Sequence, residues 1–317
     1  MSSTTDQPNT SRRSSRHRRR NLIAVAVAVA AALAITVTVI VATTTGGSRS
    51  GTYIGTCNVV AGASCPGANL SGATLLNATL TGINLTGANL TGVRFTSTML
   101  DKATLTGADL TGATFTRVVL TGATLTRVVL TGAYLTLVQS GGIIGTPSAL
   151  PTGWVLVGGY LIGPGADLTG ANLTGVNLTG VNLSGANLTA VKSAGIIGTP
   201  SALPTGWVLV GGYLIGPGAD LTGVNLWNAN LGLARLMNVI LTSADLTGAN
   251  LGGADLTGAT LTGTDLTGAT LFGATITNAN LTGAYLSGIY PGIIGTPTAL
   301  PTGWVLVDGV LKPEIPR

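Results

Sequence analysis

The sequence predicts an all-β stack of short coils with hairpin inserts, preceded by one transmembrane helix, and three observations predict it. From Ala68 to Leu137, Leu or Phe recurs at every fifth residue (Leu70, Leu75, Leu80, Leu85, Leu90, Phe95, Leu100 and on to Leu135). A 28-residue segment, Val138 to Gly165, returns as Val191 to Gly218 with 26 of 28 positions identical. Near the N-terminus, Leu22 to Ala42 runs for 21 residues without a charge.

The five-residue period fits neither a helix, which needs apolar residues at 3.6 spacing, nor a flat strand, which needs them at 2. The unit reads Ala-(Asn/Asp/Thr)-Leu-Thr-Gly, so each unit is one short side of a coil that turns a corner at its Gly. Self-similarity at a fixed period means stacked coils. The register resumes at Ala166 to Ala190 and at Ala219 to Gly288, giving 14, 5 and 14 units. Of the 33 central positions, 30 are Leu, two are Phe and one is Ile276, while the position two before is Ala 23 times, Val seven, Thr twice and Ile once. No centre is polar, and burying each large side chain is worth about 1.5–3 kcal/mol. This pattern resembles the pentapeptide-repeat family. The resemblance implies a right-handed quadrilateral β-helix, with one pentapeptide per side, 20 residues per coil and both apolar positions pointing inward. About eight coils at roughly 4.8 Å spacing would then make a rod near ~40 Å long.

Taken in order, residues 1–21 form an Arg-rich segment expected to be a disordered cytoplasmic tail. It holds six Arg against Asp6, plus His17, the sole histidine of the chain. The whole chain has 15 basic and 10 acidic residues, so the 297 that follow residue 20 carry nine of each and are neutral. The basic pI therefore describes the tail, and no nucleic-acid partner is expected. Residues 22–42 would span about 31 Å as a helix, matching a bilayer core of about 30 Å. The Arg cluster before it predicts a signal anchor with the repeats outside: a single-pass protein of the cell membrane. Cleavage after Ala42, giving a secreted protein, is the alternative. Residues 43–67 read as a Thr/Gly/Ser linker and an N-terminal cap. Two cysteines cannot make a four-ligand zinc site. Cys57 and Cys65 are therefore candidates for a disulfide closing a short loop, worth about 2–3 kcal/mol. A cap is needed because an open coil end exposes unpaired strand groups.

Residues 138–165 and 191–218 read as hairpin inserts between repeat blocks 68–137, 166–190 and 219–288. Trp154 to Val157 and Tyr160 to Ile162 are β-rich runs joined by Gly158-Gly159, a pair suited to a primed turn. That register places Val157 opposite Tyr160 and Val155 opposite Ile162. A third copy in residues 289–317 keeps Trp304 and turns at Asp308-Gly309, and it is expected to close the C-terminal end. Both hairpin faces are apolar, and a hairpin lying on the rod buries one of them. The other would meet water, a second hairpin, a second copy of the chain or an unidentified protein partner. Trp154, Tyr160, Trp207, Tyr213 and Trp304 are accordingly the candidate interaction surface. The competing reading is that the hairpins only pack on the coil or seal it.

Chemistry is constrained by what is missing. A nucleophile needs a base, usually His, and the single His lies in the tail, while Glu314 is the one glutamate. No catalytic residue, cofactor or metal ligand is expected. Asp245 and Asp265 lie one coil apart and would stack, as would Arg235 with Asp255, and Asn69 with Asn89 and Asp109 as a hydrogen-bonded ladder. The expected function is thus a non-enzymatic, membrane-anchored extracytoplasmic scaffold or protein-interaction module. Two alternatives belong to the resemblance and to the Thr-rich units. Some family members mimic DNA and bind gyrase, which requires dense negative charge that nine acids against nine bases do not supply. Flat Thr arrays bind ice or crystal surfaces, but the array here is irregular.

Overall fold

The computed structural model describes residues 52–290 and 292–314. The Arg-rich tail, the apolar segment 22–42 and the linker up to residue 51 lie outside them, as does the helix expected there. Among the described residues no helix is long and apolar enough to cross a membrane. Every strand is short: β1 Thr52–Ile54, β2 Cys57–Val59, β3 Thr74–Leu76, β4 Arg94–Thr96, β5 Thr114–Thr116, β6 Tyr134–Thr136, β7 Val155–Val157, β8 Tyr160–Ile162, β9 Val208–Val210, β10 Tyr213–Ile215, β11 Trp304–Val307 and β12 Val310–Pro313.

Residues 20 apart pair in parallel, and they do so on four sides. In the first block the first side carries Asn69, Asn89, Asp109, Val129 and Ala149. The second is the β3-β4-β5-β6 sheet. The third carries Thr79, Met99, Val119 and Gln139, and the fourth Ser64, Asn84, Thr104, Thr124 and Ile144. Each side feeds the ladder twice, as where Asn89 N donates to Ala68 O at 2.9 Å and Leu90 N to Asp109 O at 2.8 Å.

The unit's sequence explains its corner. Ala73 N donates to Leu70 O at 3.1 Å, closing a four-residue turn whose third residue, Gly72, has φ 66°. Such a turn demands a left-handed residue there, which is why Gly ends the unit. The amide left over in the turn is met by the Asn or Asp before the central Leu. Asn89 Oδ1 accepts from Thr91 N at 3.1 Å and from Thr91 Oγ1 at 2.7 Å, an Asx turn built into every Asn-Leu-Thr. The expected ladder of Asn69, Asn89 and Asp109 is therefore a backbone column, while these side chains bond forward within their own units.

All 33 central side chains are buried, and the small residues two before them fill the space between. Thr98 and Thr264 occupy small positions at 0% exposure. Their hydroxyls are satisfied by donating to Leu75 O at 2.9 Å and Leu241 O at 2.7 Å, removing the penalty of an unpaired buried polar group.

The inserts differ from expectation. Their first halves are not interruptions: Ile144 and Ala149 extend the fourth and first sides, and in the second copy Ile197 and Ala202 extend the first and second sides. Only the fourth stretch of that coil departs, where a hairpin replaces one side and lengthens the coil to 28 residues, so that Gln139 pairs with Asp167 and Lys192 with Asp220. The hairpin registers follow the sequence, with Val155 opposite Ile162 and Val157 opposite Tyr160. Their location does not, since the hairpin is wedged into the stack. Gly159 O at its tip accepts from Ile143 N at 3.0 Å on the coil before, and Tyr160 Oη accepts from Asn172 N at 3.1 Å on the coil after. Leu161 closes the lumen lined by Leu105, Phe115 and Leu135. Both apolar faces thus find a coil to pack on, which resolves the problem of an unburied second face.

The stack is consequently taller than the about eight coils the 33 units alone would make. The first hairpin takes the second side, and the middle block's five units amount to one coil and a quarter. The second hairpin therefore lands on the third side, and the last on the first side.

The ends are closed differently. At the N-terminus, β1 and β2 form an antiparallel hairpin tied down by the Cys57–Cys65 disulfide, with S–S 2.11 Å and Cα–Cα 5.2 Å. The third hairpin repeats the lid: Ile293 N donates to Gly309 O at 2.9 Å, and Leu311 is buried like Leu161 and Leu214. Its outward positions are rewritten. Where Ile162 and Ile215 are fully buried under the next block, the third copy has exposed Lys312, and exposed Asp308 replaces the first glycine of the turn.

Candidate functional site

The residues singled out on the hairpins are placed mostly inward. Trp154 is buried at 9% exposure, and Trp207, Trp304, Tyr160 and Tyr213 are half-buried. The rings of Trp154 and Trp207 lie flat on Gly163 and Gly216, so close that a Cβ there would sit 2.4 Å from a ring atom. Two buried serines were not singled out by sequence: Ser140 Oγ and Ser193 Oγ accept from Leu161 N and Leu214 N, each at 2.9 Å. Their presence in both insert copies was the available signal.

Charged residues are scattered. Asp245 stacks on Asp265 and Arg235 on Asp255, but the ion pair formed is Lys192 Nζ to Asp220 Oδ2 at 3.4 Å, across the second hairpin joint. The stem of Arg235 instead lies against Gly206. The side-chain hydrogen bond from Thr111 holds the Asp109 carboxyl below its usual range, and Thr267 does the same to Asp265. For Asp220 burial pushes upward, and the bonds from Thr222 together with Lys192 outweigh it, for a net lowering. No group of three metal-ligating residues comes together among the described residues. The Thr104–Thr124 column runs from Asn84 into Ile144, so that column holds only two threonines in succession.

Outward-facing departures from the repeat are concentrated on the second side of the third block. That side carries Asn230, Asn250, Thr270 and Tyr290, with Asn250 Nδ2 donating to Asn230 Oδ1 at 3.1 Å. Trp227 stands at one of its corners, 62% exposed, while Leu233 and Phe272 stand at the other, 81% and 72% exposed. Trp227 occupies a Thr position without disturbing the turn, because its amide still donates to Asn225 Oδ1 at 3.0 Å. Leu233 holds a left-handed φ of 60° that a glycine would adopt without strain. None of these side chains is needed by the core.

Two grooves of about 340 Å³ and 440 Å³ open beside the first and third hairpins. In the first, Tyr134 and Thr136 of β6 face Pro151, Thr152 and Trp154. In the second, Tyr285 and Ser287 face Pro301, Thr302 and Trp304. Sequence reading passed over them, although Gly-Ala-Tyr-Leu before the first and third inserts was visible.

A family model described as pentapeptide repeats matches the chain in 8 copies, over residues 63–100, 80–117, 100–136, 164–192, 218–253 and 249–288. No curated protein matches it. Among solved structures, HetL of Nostoc sp. strain PCC 7120, a pentapeptide repeat protein involved in heterocyst differentiation regulation, is 28% identical over 78% of this chain and 89% of its own, with TM-score 0.24. A pentapeptide repeat protein of the Arabidopsis thaliana thylakoid lumen is 32% identical over 26% of this chain and 57% of its own, with TM-score 0.21. A trypsin-treated form of QnrB1, a plasmid-mediated fluoroquinolone resistance protein, is 16% identical over 73% of this chain and 89% of its own, with TM-score 0.20. TM-scores this low carry no functional inference.

Proposed function

The chain belongs to the pentapeptide-repeat family, and from that premise we propose that it is a non-enzymatic contact protein, a stiff rod anchored in the membrane by residues 22–42 and holding a docking face outside the cytoplasm. The observation that carries this reading is the apolar face of the third block. Trp227, Leu233, Phe272 and Tyr290 surround one side whose core is complete without them, and clustered exposed apolar residues mark contact sites. Among the described residues the two cysteines are bonded to each other, histidine is absent and Glu314 is the one glutamate.

The test is capture of surface partners by cross-linking on intact cells that display the full-length protein. Replacing Trp227 and Phe272 together by Ser is expected to abolish recovery of specific partners while melting stays within about a degree of the parent, since exposed substitutions cost little. Undiminished recovery from the folded double variant would defeat this face as the docking site. A turnover-dependent activity in the purified protein would defeat the reading as a whole.

A further inference from the structure

We infer that the grooves beside the first and third hairpins are a matched pair of binding sites for an uncharged polysaccharide. This rests on the reading of the protein as an extracytoplasmic contact rod, though it uses a different surface. The two grooves share one composition on different sides of the rod: a tyrosine, a hydroxyl residue two positions on, and the Pro-Thr-Gly-Trp that opens the hairpin. The tyrosines are displayed, Tyr134 at 71% and Tyr285 at 64% exposure.

The lid does not require this tyrosine. At the second hairpin, whose sequence is nearly the same as the first, the matching position is Asn187, and its Oδ1 accepts from Thr189 N at 3.1 Å and Thr189 Oγ1 at 2.8 Å, as in any ordinary unit. Exchanging Asn for Tyr removes that acceptor. The hydroxyls of Thr136 and Ser287 are accordingly left without a hydrogen bond among the described residues, and Thr152 and Thr302 across each groove are likewise free. A tyrosine ring with unpaired hydroxyls on both banks offers an apolar platform edged by groups that can donate and accept. This is the complement of a sugar ring, which has a C–H face and a rim of hydroxyls. No charged residue lines either groove, so an anionic polymer would gain nothing there. Two such sites, several coils apart on one stiff axis, favour a polymer that can occupy both at once over a single small sugar.

Binding of the full-length detergent-solubilised protein to neutral glucan and N-acetylglucosamine oligomers and to their insoluble polymers, followed by calorimetry and co-sedimentation, tests this. The expected result is saturable binding that Tyr134→Ala or Tyr285→Ala weakens by about tenfold each. The double variant should lose retention on polymer, with Asn187→Ala binding as the parent does and the tyrosine variants melting as the parent does. Absence of binding to every neutral glycan, equal binding by the double variant, preference for a sulfated polysaccharide, or preference for a proline-rich peptide would each overturn it. The two proposals fail separately, since Trp227→Ser with Phe272→Ser leaves glycan retention intact if only the docking face is wrong.

Discussion

Each residue of the repeat answers a local demand, and the acidic ones make that demand measurable. Asp109 and Asp265 accept from the Thr two positions on, through both amide and hydroxyl at Asp109 and through the Thr267 side chain together with its amide at Asp265. These bonds depress both carboxyl pKa values below 3.8. A group whose folded pKa is depressed contributes stability above its unfolded pKa and loses it as pH falls through the folded value. The fold should therefore weaken on acidification below about pH 4. Asn serves the same turn elsewhere, as Asn89 does with Thr91, so Asp109→Asn with Asp265→Asn keeps the geometry and removes the titration. Melting followed from about pH 5 to about pH 2 should fall less in the double variant than in the parent. Equal slopes would show that these carboxylates do not report on folding. At this scale Leu and Gly were legible as core centre and corner, whereas the Asn and Asp side chains expected to bond along a ladder bond forward within their own units. Leu233 shows the boundary: nothing in its neighbours announces a left-handed residue, and only the register places it at a corner.

At the level of elements, legibility divided along the hairpin. Gly158-Gly159 announced the turn and fixed the register, since the pairing there is local. Where the hairpin goes is a long-range matter, decided by which surfaces remain uncovered when a side is replaced. The steps of five from Gln139 to Ile144 to Ala149 did persist through the insert, but without Leu-Thr-Gly they were invisible to a search for the repeat. The wedge makes a sharp prediction. Gly163 touches the Trp154 ring, so Gly163→Val must displace the indole, at a cost of about 1–3 kcal/mol. Trp154→Ala empties the same site for about 3–5 kcal/mol. Amide exchange should accelerate in both variants on the coils flanking the hairpin, at Ile143 on one side and Asn172 on the other, while the β3–β5 ladder stays protected. Unchanged protection at Ile143 and Asn172 would mean that the hairpin lies on the rod and not in it.

For the molecule as a whole, three lids divide one continuous stack, and the differences among them tell inside from outside. Ile162 and Ile215 face a following block, whereas Lys312 and Asp308 face water, as a terminal unit must if it is to stay soluble. Lys312→Ile together with Asp308→Gly would recreate the internal face on an exposed end. Sedimentation of that variant should show stronger concentration-dependent association than the parent, and association no stronger than the parent's at every concentration would remove the distinction drawn between the lids. The grooves, by contrast, were legible only in hindsight, because a tyrosine in place of Asn has no meaning until the opposite bank is known. The middle block's extra quarter coil has a consequence for inheritance. Trp154 and Trp207 lie 53 residues apart, so a copying event that repeats that length adds a lid and swings everything downstream to a new compass bearing. Lineages that gain or lose such a segment would keep the same architecture while presenting their outward residues toward different neighbours.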